Sequence, residues 1–382
     1  MKKKIYALSF AIALTLGLVA FISGTALRAA SSASNNALAS LPASDIVITI
    51  DTQRLLSETL PVMLADNPAL LAKVNDKIVR FNQEVGIDLR TFDSLAVGLR
   101  FKSPSADNFD AVVIANGHFN STQVLDAAFA AAKKKNEFQK RDEQYEGKTI
   151  FVILPQQRKS TPYTTRKADG SRVAVLTTSP AQTSDEDSSR IVGKEKSTTP
   201  RFEAEVNTGR NHSEMAVVAL DANTLAFGDL KSVRAAIDAS LGRERVDDEL
   251  VQMATQNPSA LVGFSGKIPP SVTEKMAASN KGVESKYIAS IRKFYGSFNT
   301  TGTDAETFLA VQTEKANEAQ DISQALNSLK LLSGFSVMQP GRSELKSIAT
   351  LLKDLSITAQ GNEVQIRLNI KQKDLAPFVH RF

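Results

Sequence analysis

The sequence predicts an α+β fold made of two similar halves, each with antiparallel hairpins packed against helices. Three observations predict it: strand-like runs occur in adjacent pairs, amphipathic helices follow those pairs, and this succession occurs twice. A doubly wound parallel sheet would instead alternate single strands with helices. Of the 382 residues, 42% are hydrophobic and 23% are charged, which is the composition of a globular protein.

The clearest unit is Glu214–Gly242, whose pattern is strand, turn, strand and helix. The strands are predicted at Met215–Leu220 and Thr224–Phe227. Asp229 is the expected N-cap of the helix, and Gly242 is its expected stop. The apolar face of this helix is expected to carry Leu230, Val233, Ile237 and Leu241. Such a unit packs and pairs, and nothing in it performs chemistry.

The first residues predict export. Lys2, Lys3 and Lys4 form a basic region, Ile5–Ile22 is uncharged and mostly apolar, and small residues follow. Residues 1–30 therefore match a signal peptide, with Gly24-Thr25-Ala26 as the best cleavage site. The alternative is that this long apolar run stays as a membrane anchor. The expected location is periplasmic or extracellular.

Composition excludes several classes of chemistry. The chain has no cysteine, so it has no disulfide, thiol nucleophile, cysteine-based zinc site or lipidated cysteine. The formal net charge of +5 falls to +2 when Lys2, Lys3 and Lys4 are removed. A mature protein so close to neutral gives no reason to expect nucleic acid as a partner.

The remaining chain divides by composition. Residues 31–44 are a small, polar linker, and residues 45–245 form the first α+β half. Within this half, residues 155–211 are dense in Ser, Thr and charged residues, with one strand-like run at Arg172–Leu176. This composition predicts a long polar, flexible insertion. Residues 246–382 form the second half.

In the first half, Ile46–Asp51 is the expected first strand, and an amphipathic helix follows from Pro68 to Val85. Its apolar residues are spaced 3, 4, 3 and 4 apart: Leu71, Val74, Ile78, Phe81 and Val85. A hairpin of Leu95–Phe101 and Phe109–Ala115 comes next. The later elements are a helix beginning at Asn120, with Gln123 in capping-box register, and a strand at Thr149–Leu154.

The second half repeats this order. Its predicted elements are Ala260–Phe264 (strand), Pro269–Arg292 (helical), the hairpin Phe294–Thr300 with Glu306–Thr313, a helix with Ile322, Leu326 and Leu329, a helix with Leu345–Leu352, the hairpin Leu355–Ala359 with Val364–Ile370, and a short helix at Leu375–Val379. Residue identity between the halves is low, so the repeat is one of architecture.

Histidines are the first residues to test as catalytic groups or metal ligands. His118, His212 and His380 lie far apart, and none has the spacing that places two ligands on one helix face. His118 follows a strand end, where functional sites often form. An ordinary loop histidine is the favoured interpretation. A serine and an acid within hydrogen-bond reach of His118 would instead indicate a hydrolase.

Other motifs fail in their context. Gly263–Gly266 lacks the full G-x-S-x-G spacing, and Ser343–Lys346 has S-x-x-K without its companion motifs. Gly147-Lys148-Thr149 is followed by a strand where a phosphate-binding loop needs a helix. Asp185-Glu186-Asp187 lacks the alternation of a calcium loop. The glycosylation sequons carry little weight; they begin at Asn120, Asn211 and Asn299.

Three segments resemble those of exported bacterial proteins of unknown function. They are Leu41–Asp45, Phe92–Gly98 and Phe227–Ile237, the last containing a G-D-x-x-x-V-R-A-A-I pattern. The likeness covers most of Leu41–Gly242 and is weaker after it. The resemblance implies structure only, since that family has no established activity and no catalytic residue to carry over.

The sequence therefore favours a non-catalytic protein of the cell envelope that binds or scaffolds an unknown partner. No catalytic residue, metal ligand or cofactor site is predicted, and a membrane contact is expected only through an uncleaved signal segment. Two alternatives stay open. One is a hydrolase-like enzyme whose site is assembled only in the fold. The other is a carrier of an apolar ligand between sheet and helices.

The mature N-terminus tests the export prediction. We expect mass spectrometry of the protein from its native cell to show loss of Met1–Ala26 or of a slightly longer segment, because small residues follow the apolar run. Recovery of an intact Met1 in a membrane-embedded product would show an anchor instead.

Overall fold

The structure is a computed structural model that describes residues 37–85, 88–103, 109–135, 138–155, 163–166, 172–175, 214–279, 284–301, 304–336 and 354–371. Several predictions from sequence lie outside these residues: the signal segment 1–30, most of the insertion 155–211, the helix at Leu345–Leu352 and the closing helix Leu375–Val379. The chain divides into two compact units, Met1–Leu154 with Glu214–Phe382, and Pro155–Ser213.

The larger unit is built on one sheet of 12 strands. Its strands are β1 (Ile46–Asp51), β2 (Phe92–Phe101), β3 (Phe109–Gly117), β4 (Phe138–Tyr145), β5 (Lys148–Pro155), β8 (Met215–Asp221), β9 (Thr224–Asp229), β10 (Val262–Lys267), β11 (Ile291–Thr301), β12 (Asp304–Thr313), β13 (Leu355–Gln360) and β14 (Glu363–Ile370). The order across the sheet is β13-β14-β12-β11-β10-β1-β2-β3-β9-β8-β5-β4. The smaller unit contains β6 (Tyr163–Arg166) and β7 (Arg172–Val175), which form an antiparallel pair.

Helices connect the strands of the larger unit. They are α1 (Thr52–Arg54), α2 (Leu60–Met63), α3 (Pro68–Val85), α4 (Ser121–Lys135), α5 (Leu230–Ser240), α6 (Asp248–Ala254), α7 (Pro270–Ser279), α8 (Glu284–Ser290) and α9 (Ala316–Ser336). A π-helical turn at Leu55–Thr59 joins α1 to α2, and a 3₁₀ turn lies at Leu89–Thr91. Antiparallel strands with interspersed helices confirm the predicted α+β class.

The strand order is symmetric about the central pair β10–β1. Moving outward, β11, β12, β14 and β13 lie on one side, and β2, β3, β9 and β8 lie on the other. The hairpin β5–β4 extends the second of these sides only. β1 pairs with β2 and with β10, both antiparallel, and Ile46 lies opposite both Leu99 and Gly266.

One face of the sheet is covered by α5 and α6, and the core between them is apolar and buried. Val112, Ala226 and Val218 on the strands are at most 2% exposed, and α5 contributes Val233, Ala236 and Ile237 at 0%. Full burial of a side chain such as Ile237 contributes about 1.5–3 kcal/mol. The predicted N-cap is confirmed, because Ser232 N donates to Asp229 Oδ1 at 3.0 Å.

On the opposite face of the sheet, α4 covers part of β2, β5, β8 and β9. Phe129 of α4 packs on Phe151 of β5 with ring centroids 5.0 Å apart, and Leu125 is buried in the same cluster. The predicted cap at Asn120 is confirmed, since its side chain accepts a hydrogen bond from Gln123 N at 3.0 Å. In the second half, α9 packs against β12, β13 and β14.

Two predicted core positions are wrong. Leu241, expected on the apolar face of α5, is 49% exposed because the helix ends at Ser240 and Leu241 is its C-cap. Phe81, expected on the buried face of α3, is 38% exposed although Ile78 on that helix is buried at 7%. β4 and α6 are not among the elements predicted from the sequence.

The packing of α5 yields a stability prediction. We expect Ile237→Ala to lower the free energy of unfolding by about 2–5 kcal/mol, since it removes buried methyl groups and leaves a cavity. Lys231→Ala, on the exposed side of the same helix, should change it by no more than about 0.5 kcal/mol. Denaturant midpoints of the two variants check this. Equal effects would contradict the packing described.

Candidate functional site

His118 is the one sequence-predicted histidine that falls within the described residues. Its Nδ1 lies 2.8 Å from Asp93 Oδ1, so the Nδ1–H of the ring donates to the carboxylate. The backbone fixes the loop as well, because His118 N donates to Thr91 O at 2.8 Å. The His118 side chain is 83% exposed and that of Asp93 is 11% exposed. Asp93 therefore sets the orientation of an imidazole that faces solvent.

A hydrolase triad also needs a hydroxyl on the second ring nitrogen. Among the described residues, no serine or threonine hydroxyl is hydrogen-bonded to His118 Nε2. Ser121 is near in sequence, but it is fully buried and its Oγ has no hydrogen-bond partner in the described structure. Among the described residues, the fold thus brings His118 together with an acid but not with a nucleophile.

A second carboxylate, Asp51, lies buried where β1 meets α1. Its Oδ1 accepts a hydrogen bond from Arg54 N at 2.9 Å, while Oδ2 lies 3.9 Å from Arg54 Nη1 and makes no hydrogen bond. Arg54 Nη2 donates to Asn299 Oδ1 at 2.6 Å. Burial raises the pKa of the Asp51 carboxyl, the backbone bond and charge of Arg54 oppose this, and Asp93 adds to it. Capping of α1 accounts for these contacts.

A polar cluster occupies one face of β11, β12 and β14. The Tyr295 hydroxyl donates to Glu363 Oε2 at 3.0 Å, and Gln312 and Gln365 donate to the same carboxylate at 3.3 and 2.7 Å. Phe308 lies beside the cluster, with its ring centroid 5.8 Å from that of Tyr295 and 4.8 Å from the guanidinium carbon of Arg367. Burial, followed by the bond to Glu363, raises the pKa of Tyr295 to about 12.

Ion pairs account for the other shifted groups. Lys267 and Lys293 bind the carboxylates of Asp247 and Glu249, and the pKa values of both acids are lowered chiefly by these bonds. Arg243 Nη2 lies 3.0 Å from Glu146 Oε2, which likewise lowers the pKa of Glu146. Such solvent-exposed pairs contribute little to stability and perform no chemistry by themselves.

A small cavity lies between β2, β3 and α5. Its volume is about 40 Å³, enough for a water molecule or two but not for a substrate of ordinary size. It is lined by Ser44, Gly98, Arg100, Asp110, Lys231 and Glu244, among others.

An open apolar patch, formed by Phe101, Phe109, Val113, Ile153, Met215 and Phe227, lies on the sheet face opposite α5. The register places these side chains on one face, because Phe101 pairs with Phe109, Val113 with Phe227, and Ile153 with Met215. Phe109 is 44% exposed, Phe227 43% and Met215 36%. Their neighbours along the strands, such as Ala226 at 0%, point into the buried core beneath α5. An exposed apolar surface in the interior of a sheet is a candidate contact site.

This patch was not predicted from the sequence. β3 has a nearly continuous apolar run, which predicted a strand buried on both faces. The structure confirms that β3 is central, between β2 and β9, but exposes Phe109. Apolar alternation cannot distinguish a face covered by a helix from a face left open.

The remaining sequence candidates have structural places or lie outside the described residues. Ser265 is fully buried and donates to Leu250 O at 2.7 Å. Lys148 begins β5 and donates to Leu220 O at 2.6 Å, so no phosphate-binding helix follows it. Outside the described residues are His212, His380, Ser343–Lys346, Asp185–Asp187 and Asn211.

The described residues contain neither a metal-binding cluster nor a helix able to span a membrane. No cluster of three or more histidine, aspartate or glutamate side chains there is placed to hold a metal ion. None of the helices in those ranges has both the length and the hydropathy needed to cross a membrane.

Comparison with known proteins gives no family. No protein family model and no curated protein matches the chain. Crystal form III of TP0453 is similar over 90% of this chain and 98% of that chain, with a TM-score of 0.40 and 7% identity. Crystal form IV of TP0453 is similar over 90% of this chain and 95% of that chain, with a TM-score of 0.41 and 8% identity. Likeness at this level carries no argument about function.

The Tyr295 cluster gives a prediction about titration. We expect Glu363→Gln to lower the pKa of Tyr295 from about 12, because it removes the carboxylate, but burial should keep that pKa above the ordinary value of about 10. Ultraviolet titration of tyrosinate, with Tyr295→Phe as the subtraction, measures this.

The same shift has a consequence for stability. Since the pKa is raised on folding, its stabilisation is complete below the unfolded value of about 10 and is lost as the pH rises towards the folded value. In the Tyr295→Phe variant, the free energy of unfolding should therefore fall less steeply as the pH rises above about 10. Glu306→Gln, an exposed glutamate on β12, is the matched control and should leave the titration unchanged.

Proposed function

We propose that this chain is a non-catalytic protein of the cell envelope that acts by binding or scaffolding a partner. The open apolar patch is the observation that carries the proposal. It exposes Phe109, Phe227 and Met215 on one face of a sheet whose other face is covered by α5 and α6. Aromatic residues and methionine are the side chains that protein interfaces favour, and none of the six residues of the patch is charged.

The arrangement of polar groups supports binding rather than catalysis. The Asp51–Arg54 pair caps a helix, Glu363 is bonded by three side chains, and the surface carboxylates pair with lysine or arginine. These contacts are structural ones. Nucleic acid is not the expected partner, since the mature chain is close to neutral in charge.

The proposal includes export and duplication. The basic and apolar N-terminal residues support passage to the periplasm or the outside, with membrane anchoring as the alternative fate of that segment. The symmetric strand order about β10–β1 supports two halves of common architecture. An origin by duplication would explain why β11, β12 and α9 follow β10 as β2, β3 and α4 follow β1.

Each of two alternative functions is favoured by one specific observation. The open apolar patch would also suit a carrier of an apolar ligand, which differs from scaffolding in the size of what is bound. The His118–Asp93 contact at 2.8 Å is the pair that a hydrolase-like enzyme would use to orient its base. An esterase activity that His118→Ala abolishes would favour the enzyme.

Photo-crosslinking tests the proposed function. We expect a benzophenone amino acid at position 227 to give a discrete polypeptide adduct in envelope preparations, because Phe227 is 43% exposed in the open apolar patch. The same group at position 231, on the exposed side of α5, is the matched control and should give none. A small, solvent-extractable adduct at 227 would identify a ligand carrier. Equal adducts at both positions would contradict the proposal.

A further inference from the structure

The edge strand β13 is a second surface, besides the open apolar patch, at which another chain could bind. It ends the sheet, so one side of its backbone has no neighbouring strand among those that the structure describes. Its residues Leu355–Gln360 include neither a charge nor a proline. Uncharged edges of this kind pair readily with other strands. β4, at the other end of the sheet, has the usual protection in four consecutive charges, Lys140, Arg141, Asp142 and Glu143.

The hairpin register determines which backbone groups of β13 face outward. Gln360 pairs with Glu363 across a two-residue turn, in which Gly361 has φ +59°, as a type II′ turn requires. The pair that flanks such a turn is hydrogen-bonded, and bonded and non-bonded pairs then alternate along the ladder. The outward-facing amide and carbonyl groups therefore belong to Leu355, Ile357 and Ala359.

Side chains of α9 take two of these carbonyl groups. Asn327 Nδ2 donates to Ile357 O at 3.2 Å, and Lys330 Nζ donates to Leu355 O. The two residues are three apart, so they lie on the same face of the helix. Both bonds are partly buried. Packing of a helix against β13 needs only apolar side chains. Asn327 and Lys330 instead donate hydrogen bonds to backbone carbonyl groups of the strand.

We propose that Asn327 and Lys330 block β13 against pairing with a second copy of this chain. With the two carbonyl groups occupied, an incoming strand would find only part of the edge available and would have to displace a partly buried ammonium group. Without them, the edge is complementary to itself: around a two-fold axis, Ile357 lies opposite its counterpart, and Leu355 lies opposite Ala359. The result would be a closed dimer with one continuous sheet. This inference is independent of the open apolar patch.

The test removes the donors and keeps the bulk. We expect Asn327→Leu with Lys330→Met to shift the mass, measured by light scattering during gel filtration, from one chain to two. Hydrogen exchange at the amides of Leu355, Ile357 and Ala359 should slow in the same variant. Adding Ala359→Pro, which removes one outward N–H at an exposed position, should restore the monomer.

The matched control makes the same two types of substitution at one position of α9 and at one position just before it. Asn317→Leu with Lys315→Met alters exposed positions away from β13 and should stay monomeric. A monomeric double variant with unchanged exchange would overturn the proposal, as would a dimer that Ala359→Pro does not dissolve. Should the double variant not fold, Lys330→Met alone decides: a mass that rises with concentration supports the block, and a constant monomer overturns it.

Discussion

The contact between α6 and the central strand pair is the constraint on which the rest of the sheet depends. A Cβ atom at Gly263 would lie 1.9 Å from Ala254 O and 2.9 Å from Thr49 Oγ1, so no residue larger than glycine fits without a shift of the helix. Two residues further along β10, the Ser265 hydroxyl donates to Leu250 O at 2.7 Å and fixes the same helix. Because β1 comes from the first half and β10 from the second, the β1–β10 ladder under this helix joins the halves into one sheet.

Local patterns in the sequence were enough to predict the elements that depend on neighbours in the chain. The Asp229 cap and the hairpin that places Ile357 opposite Ile366 are of this kind. β4 was missed because its run of charges lacks apolar alternation, and α6 because a helix of 7 residues gives too short a period. The order of strands could not be predicted, since β3 pairs with β9 through contacts between residues more than 100 positions apart in sequence.

Less of the candidate site than of the fold could be predicted. His118 stood out as a histidine after a strand, but Asp93 reaches it only because β2 and β3 pair in a particular register, with Phe92 opposite Gly117. The open apolar patch had no signal in the sequence, because the two faces of β3 and β9 are both apolar and only the placement of α5 makes them differ. Side chains that act on the strand edge, such as Asn327, resemble any polar residue of an amphipathic helix.

The register of the two central strands also determines the order in which the protein can fold. Ile46 pairs with Leu99 early in the chain, but its other neighbour is Gly266. A ribosome that has made only the first half has therefore produced a sheet in which β1 is paired with β2 on one side and has no β10 on the other. Contacts this distant in sequence make folding slow and leave the intermediate prone to aggregation. The first half is thus unlike an independent domain, because its strand β1 is paired on both sides only after β10 has been made.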